Sequence, residues 1–177
     1  MELLLLKAYQ IKVQHSIFIF LLNNNWLFYS NIRLSFFAAS YMNQLKRILL
    51  IDDDEDDQVY FRDAVSEIYP DIECRIANNG MEGLKEIDNP APFDFIFLDL
   101  NMPIMNGFEC LRNLKNKTLH KEVPVVIFTT SKNSHDIEKS RELGATLYFT
   151  KPTSFQILCN KLKEIFSKDL STASFII

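Results

Sequence analysis

Phe93-Asp94-Phe95-Ile96-Phe97-Leu98-Asp99 is an apolar run that closes on an aspartate, after which the chain turns through Leu100-Asn101-Met102-Pro103-Ile104-Met105-Asn106-Gly107. Working outward, three further runs end in a similar way. Ile48-Leu49-Leu50-Ile51 ends in Asp52-Asp53, Val125-Val126-Ile127-Phe128 in Thr129-Thr130, and Leu147-Tyr148-Phe149-Thr150 in Lys151-Pro152. Short, nearly continuous apolar runs mark parallel strands covered on both faces. In an open α/β sheet, ligands bind beyond the carboxyl ends of the strands, which is where these polar groups gather.

The spacing predicts strands over residues 47–52, 72–77, 93–99, 123–128 and 146–150. Helical patterns fall between and after them, over 55–68, 81–87, 107–114, 135–143 and 154–166. Strand and helix alternate five times, which implies right-handed βαβ units and an α/β, doubly wound parallel sheet. The punctuation agrees. Asp54 caps the first helix with Asp57 at N3, and Asn106 with Glu109 reads as a capping-box variant for the third. Ser134 precedes the fourth helix and Gly144 ends it.

A chain of 177 residues suggests one domain with an appendage. The domain is expected over 43–170, followed by a short tail at 171–177. With 47% apolar residues, 15 of them Phe, a core is readily built, and a net charge of -4 disfavours direct nucleic-acid binding. Cys74, Cys110 and Cys159 fit no metal-ligand spacing or disulfide framework, and read as small buried hydrophobes of a reducing, cytoplasmic compartment. Residues 1–42 differ in composition, being rich in Leu, Ile, Phe and Asn and poor in acids. Their apolar stretch at 16–22 is broken by Asn23-Asn24-Asn25, too short to span a bilayer. A membrane-associating leader, a disordered extension and upstream sequence translated from a misplaced start are the three readings. The last is favoured, with the true start near Met42 and no membrane association.

The polar groups at the strand ends have a common chemistry. Asp52, Asp53 and Asp99 in one crevice repel one another unless a cation neutralises them, and hard oxygen ligands of this kind suit Mg²⁺. Asp99 is the candidate nucleophile, because a carboxylate forms an aspartyl-phosphate when it is held in line and relieved of charge repulsion. Pro103 and Gly107 bend the following loop so that the Asn101 backbone carbonyl faces the metal. The Thr129 hydroxyl is placed to donate to a phosphoryl oxygen, and Lys151 to neutralise its charge. The Lys151–Pro152 bond is a cis candidate. The rest of the acidic run, Asp56 and Asp57, reads as a solvated helix N-terminus.

At these residues the chain resembles the receiver (response-regulator) domain of two-component phosphorelays, over about residues 46–170. The resemblance rests on Asp52-Asp53, Asp99 with Met102-Pro103 and Asn106-Gly107, Thr129, Tyr148 and Lys151-Pro152, in matching order and spacing. It implies a flavodoxin-like (βα)5 fold with a five-stranded sheet of order 2-1-3-4-5. It further implies phosphoryl acceptance at Asp99 and metal ligation by Asp53, Asp99 and the Asn101 carbonyl, with Asp52 acting through water. The donor would be a phosphohistidine on a sensor histidine kinase or histidine phosphotransfer protein. Thr129, Tyr148 and Lys151 would then switch the face of the fourth helix, fifth strand and fifth helix toward an output protein, or toward a homodimer. Such a domain assists its own phosphorylation and is not an enzyme toward an external substrate. Thr130 stands where the family often has Ala or Gly, so it is expected to tune the lifetime of the phosphorylated state.

Two rivals differ from this reading. A haloacid-dehalogenase-like phosphatase also uses an aspartyl-phosphate, but its strand-end Asp-x-Asp followed by x-Thr or x-Val is met by neither Asp52-Asp53-Asp54-Glu55-Asp56 nor Asp99-Leu100-Asn101-Met102-Pro103. A phosphorylation-independent binding module on the same fold would have lost an acid, Asp99 or Lys151, and all are present.

Overall fold

Successive residues along the central strands are buried against opposite cores, and this two-sided burial sets the architecture. The structure, a computed structural model, describes residues 18–22, 25–29, 45, 47–88, 92–117, 122–167 and 174–176. The chain divides into two compact units, Met1–Gln44 and Leu45–Ile177.

In the second unit the strands are β1 (Arg47–Ile51), β2 (Glu73–Ala77), β3 (Phe95–Leu98), β4 (Val125–Thr129) and β5 (Leu147–Thr150). The helices are α1 (Glu55–Ile68), α2 (Gly80–Ile87), α3 (Gly107–Asn116), α4 (Ser134–Glu142) and α5 (Phe155–Ser167). All neighbouring strands pair in parallel, in the order β2-β1-β3-β4-β5. This is the 2-1-3-4-5 sheet of the flavodoxin-like fold. Ile48 and Leu50 of β1 join Phe97, Val126, Phe128 and Phe149 beneath Phe61 and Val65 of α1 and Leu158 and Leu162 of α5. Leu49 and Ile51 join Ile96, Leu98, Ile127 and Tyr148 against Ile87 of α2 and Leu111 and Leu114 of α3. Each fully buried aliphatic side chain contributes about 1.5–3 kcal/mol, so β1, with four, anchors both layers.

The caps explain where the helices begin. The Asp54 carboxylate accepts from the Asp56 and Asp57 N–H groups, and Asn106 Oδ1 accepts from Glu109 N at 3.0 Å. The fourth helix starts one residue earlier than expected. Asn133 is its cap, accepting from His135 N at 2.9 Å, and Ser134 is already helical. Asn is at least as good a cap as Ser, so the earlier cap wins. Gly144, at φ 87°, closes this helix.

The Lys151–Pro152 bond is trans, correcting the cis expectation. Lys151 N donates to Thr129 O at 2.8 Å, so the β4–β5 ladder continues through Lys151, and the bond that follows keeps the trans form, the more stable one by about 0.5–1 kcal/mol. Ile104, in the loop after β3, has φ 69°, an outlier for a β-branched residue.

Two segments gain structure that the sequence reading left unassigned. In the first unit Phe18–Leu22 pairs antiparallel with Asn25–Tyr29, Leu22 lying opposite Asn25. In the second, Ile176 makes a parallel bridge to Tyr148 of β5. The inferred start at Met42 and the domain boundary at residue 170 lie outside the described residues.

Candidate functional site

Backbone ladders that run one residue past the strands place the charged groups side by side. Asp52 N donates to Ala77 O at 3.0 Å, Asp99 N to Ile51 O at 2.9 Å and Lys151 N to Thr129 O at 2.8 Å. The side chains of Asp52, Asp99 and Lys151 therefore leave from the ends of β1, β3 and β5 at one carboxyl edge, with β4 between the last two. Asp52, Asp53 and Asp99 offer oxygens within 4.8 Å of one another, with Asp52 and Asp99 buried and Asp53 exposed. Asn101 N donates to Asp99 Oδ2 at 2.9 Å, which pins that carboxylate to the turn. The turn itself depends on Gly107. A Cβ there would lie 2.2 Å from Asp99 O, and Gly107 N donates to Leu100 O.

Lys151 is nearly buried, with Nζ 2.7 Å from Asp52 Oδ2, 2.7 Å from Asp57 Oδ2 and 3.8 Å from Asp99 Oδ1. Burial opposes its charge, but the contacts with Asp52 and Asp57 outweigh that and hold the ammonium above its ordinary pKa. Burial pushes Asp52 the other way for an acid, up to about 6, against the pull of Lys151. Asp52 Oδ2 makes no aligned hydrogen bond, so its approach to Lys151 is an ion-pair contact only. One ammonium against four carboxylates leaves the crevice short of positive charge. A hard divalent cation would fit that deficit, and Asp52, Asp53 and Asp99 are the carboxylates grouped closely enough to hold one.

The remaining expected residues fall nearby. Thr129 is fully buried at the end of β4, with its Oγ1 3.4 Å from Ser131 N, and Thr130 beside it is exposed. Tyr148 is fully buried and its hydroxyl donates to Ser131 O at 3.1 Å. The β4–β5 register sets Tyr148 opposite Ile127, so Thr129, two residues on, shares its face of the sheet. Asp57 is the functional neighbour that the sequence reading set aside as solvated. As the N3 residue of α1 it sits one turn above the end of β1, and it reaches back to Lys151. Its place in the first turn of the helix that follows a site-bearing strand was the available signal.

The comparisons fit this geometry. Residues 48–163, well over half of the chain, match the model of the response regulator receiver domain. The chain belongs to the response-regulator receiver family. It is 31% identical over 138 residues to the response regulator Rcp1 of Synechocystis, covering 75% of this chain and 94% of that protein. A solved Mn(2+)-bound form of Rcp1 superposes with a TM-score of 0.62 at 31% identity, covering 73% of this chain and 98% of that one. The phosphorylated cyanobacterial phytochrome response regulator RcpA superposes with a TM-score of 0.65 at 32% identity, covering 74% and 98%. Over 115 residues the chain is also 30% identical to a probable cyclic di-GMP phosphodiesterase of Vibrio cholerae, covering 65% of this chain. It spans only 25% of that relative's length. This receiver is thus a domain of two-component signalling, of a kind that generally accepts phosphoryl groups and binds a divalent metal. Among the described residues, no helix is long and apolar enough to cross a membrane.

Proposed function

We propose that this receiver takes a phosphoryl group onto Asp99 from a phosphohistidine of a sensor kinase or phosphotransfer protein. The observation that carries the proposal is the convergence of Asp52, Asp53 and Asp99 with a single buried lysine at one sheet edge, beside a buried threonine. One Asp99 carboxylate oxygen attacks phosphorus, the P–N bond breaks, and the imidazole leaves with the electron pair and takes a proton from water. Asp53, Asp99 and the Asn101 carbonyl, with Asp52 acting through water, would hold Mg²⁺, which when bound would supply the charge neutralisation such a transfer needs. Lys151 stands 3.8 Å from Asp99 Oδ1 and moves onto the arriving phosphoryl oxygens. Thr129 donates its hydroxyl to another of them. Thr130, exposed next to it, limits the approach of water and so sets the lifetime of the product.

Thr129 and Tyr148 share one face of the sheet, so a shift of Thr129 repacks Tyr148 and changes the surface made by α4, β5 and α5. This supports reading the signal there by an output protein or a second copy. Nothing external is turned over. The test is intact-mass spectrometry after incubation with Mg²⁺ and acetyl phosphate. One phosphoryl group is expected, lost in Asp99→Asn and in excess EDTA. Equal labelling of the Asn variant would overturn the assignment.

A further inference from the structure

β5 is the end strand of the sheet, and an end strand presents unpaired backbone groups to any extended segment that fits. Here residues 174–176 occupy that edge. Tyr148 N donates to Phe175 O at 2.6 Å and Ile176 bridges Tyr148 in parallel. The Phe175 ring lies 6.4 Å from the Tyr148 ring and 4.6 Å from Arg141 Cζ of α4, half-buried against the core on that face. The seat therefore has three parts: a strand edge, an aromatic wall and a guanidinium above it.

The occupant is lightly held. Tyr148 is the one residue of β5 that it bridges among the described residues, and Ile176 stays exposed. A longer strand with the same side chains would pair more of the edge and displace it, which is the mode of recognition by strand addition.

We propose that the outer edge of β5 is a binding site for an extended partner peptide bearing an aromatic residue, and that residues 174–176 are its internal competitor. The site adjoins Tyr148, whose hydroxyl is tied to Ser131 beyond Thr129, so the segment closes the surface through which the signal leaves. That link to signalling rests on the function proposed above, whereas the strand site itself does not.

The test is NMR on the full chain and on its Phe175→Ala variant, with no phosphodonor present. The probe is a synthetic peptide of residues 171–177, and the same peptide with Ala for Phe is the control. Opening the edge should let the Phe peptide shift the Tyr148 and Arg141 amides of the variant at about a tenfold lower concentration than in the unaltered chain, because occupancy of a closed state weakens apparent affinity by the open fraction. The Ala peptide should shift neither. Equal titrations in both chains, or shifts that leave Tyr148 untouched, overturn the proposal. So would a dimer of the unaltered chain, seen by light scattering and lost in Phe175→Ala, since the segment would then belong to exchange between copies. Failure of Asp99 to take a phosphoryl group would refute the function and leave this result standing.

Discussion

Lys151 is divided between rest and reaction, and Asp57 decides how firmly it is held at rest. Both Asp52 and Asp57 lie 2.7 Å from its Nζ, while Asp99 is 3.8 Å away. Neutralising Asp57 frees the ammonium toward Asp99 and removes a negative charge that repels the incoming phosphoryl group. Both effects act in one direction. Asp57→Asn should therefore speed labelling by acetyl phosphate about fivefold, equivalent to about 1 kcal/mol of barrier. Because the Asp57 carboxylate is partly solvated, the fold should lose less than about 1 kcal/mol in urea denaturation. Slower labelling at unchanged stability would mean that Asp57 positions Lys151 for transfer instead of restraining it.

At the scale of elements, the turn after β3 is the least forgiving joint. A methyl at Gly107 meets Asp99 O and Leu100 Cα at 2.2 and 2.7 Å, backbone atoms that cannot yield without moving the site. Gly107→Ala should lose more than about 2 kcal/mol of stability and weaken divalent-metal binding with it. Gly144→Ala makes the contrast. Its added Cβ finds nothing closer than 3.6 Å, so only the positive φ is penalised, by about 1–2 kcal/mol, and phosphoryl uptake should not change. Equal losses of metal binding in the two variants would refute this account of the turn. Much of the elements' arrangement was legible from sequence because both-faced burial writes strands as apolar runs and side-chain caps write helix starts. The Asp52-Asp53, Asp99, Thr129 and Lys151 edge was legible for the same reason. What escaped had no such local signature. The Asp57–Lys151 contact joins residues 94 apart, and the seat of residues 174–176 exists only once β5 has become an end strand. The Phe18–Leu22 hairpin is a different case: the Asn-rich interruption at residues 23–25 was read as a break between apolar segments when it also suits a hairpin connection.

For the whole molecule, the two core layers make stability depend on pH at the alkaline end. Cys110 is fully buried in the layer shared by α2 and α3, where its thiol donates weakly to Gly80 O, and burial pushes it up to about 12. Burial likewise pushes Cys74 up to about 11, with Arg62 opposing. An unfolded thiol releases its proton near pH 8.5, while the folded protein keeps it until the raised value is reached. Below the unfolded value both states hold the proton and the contribution to stability is constant. Above it, the unfolded chain is favoured by about 1.4 kcal/mol per pH unit for each such thiol. Replacing Cys110 with Ala removes one titrating group from a closed site at the expense of a small cavity. Between about pH 8.5 and 10.5 the unaltered protein should therefore lose about 2–3 kcal/mol more stability than Cys110→Ala, measured by urea denaturation across the range. The comparison cancels the lysines and tyrosines that titrate in both proteins. Parallel stability curves would show that the thiol ionises in the folded state, and that the α2–α3 layer opens to solvent far more readily than its packing implies.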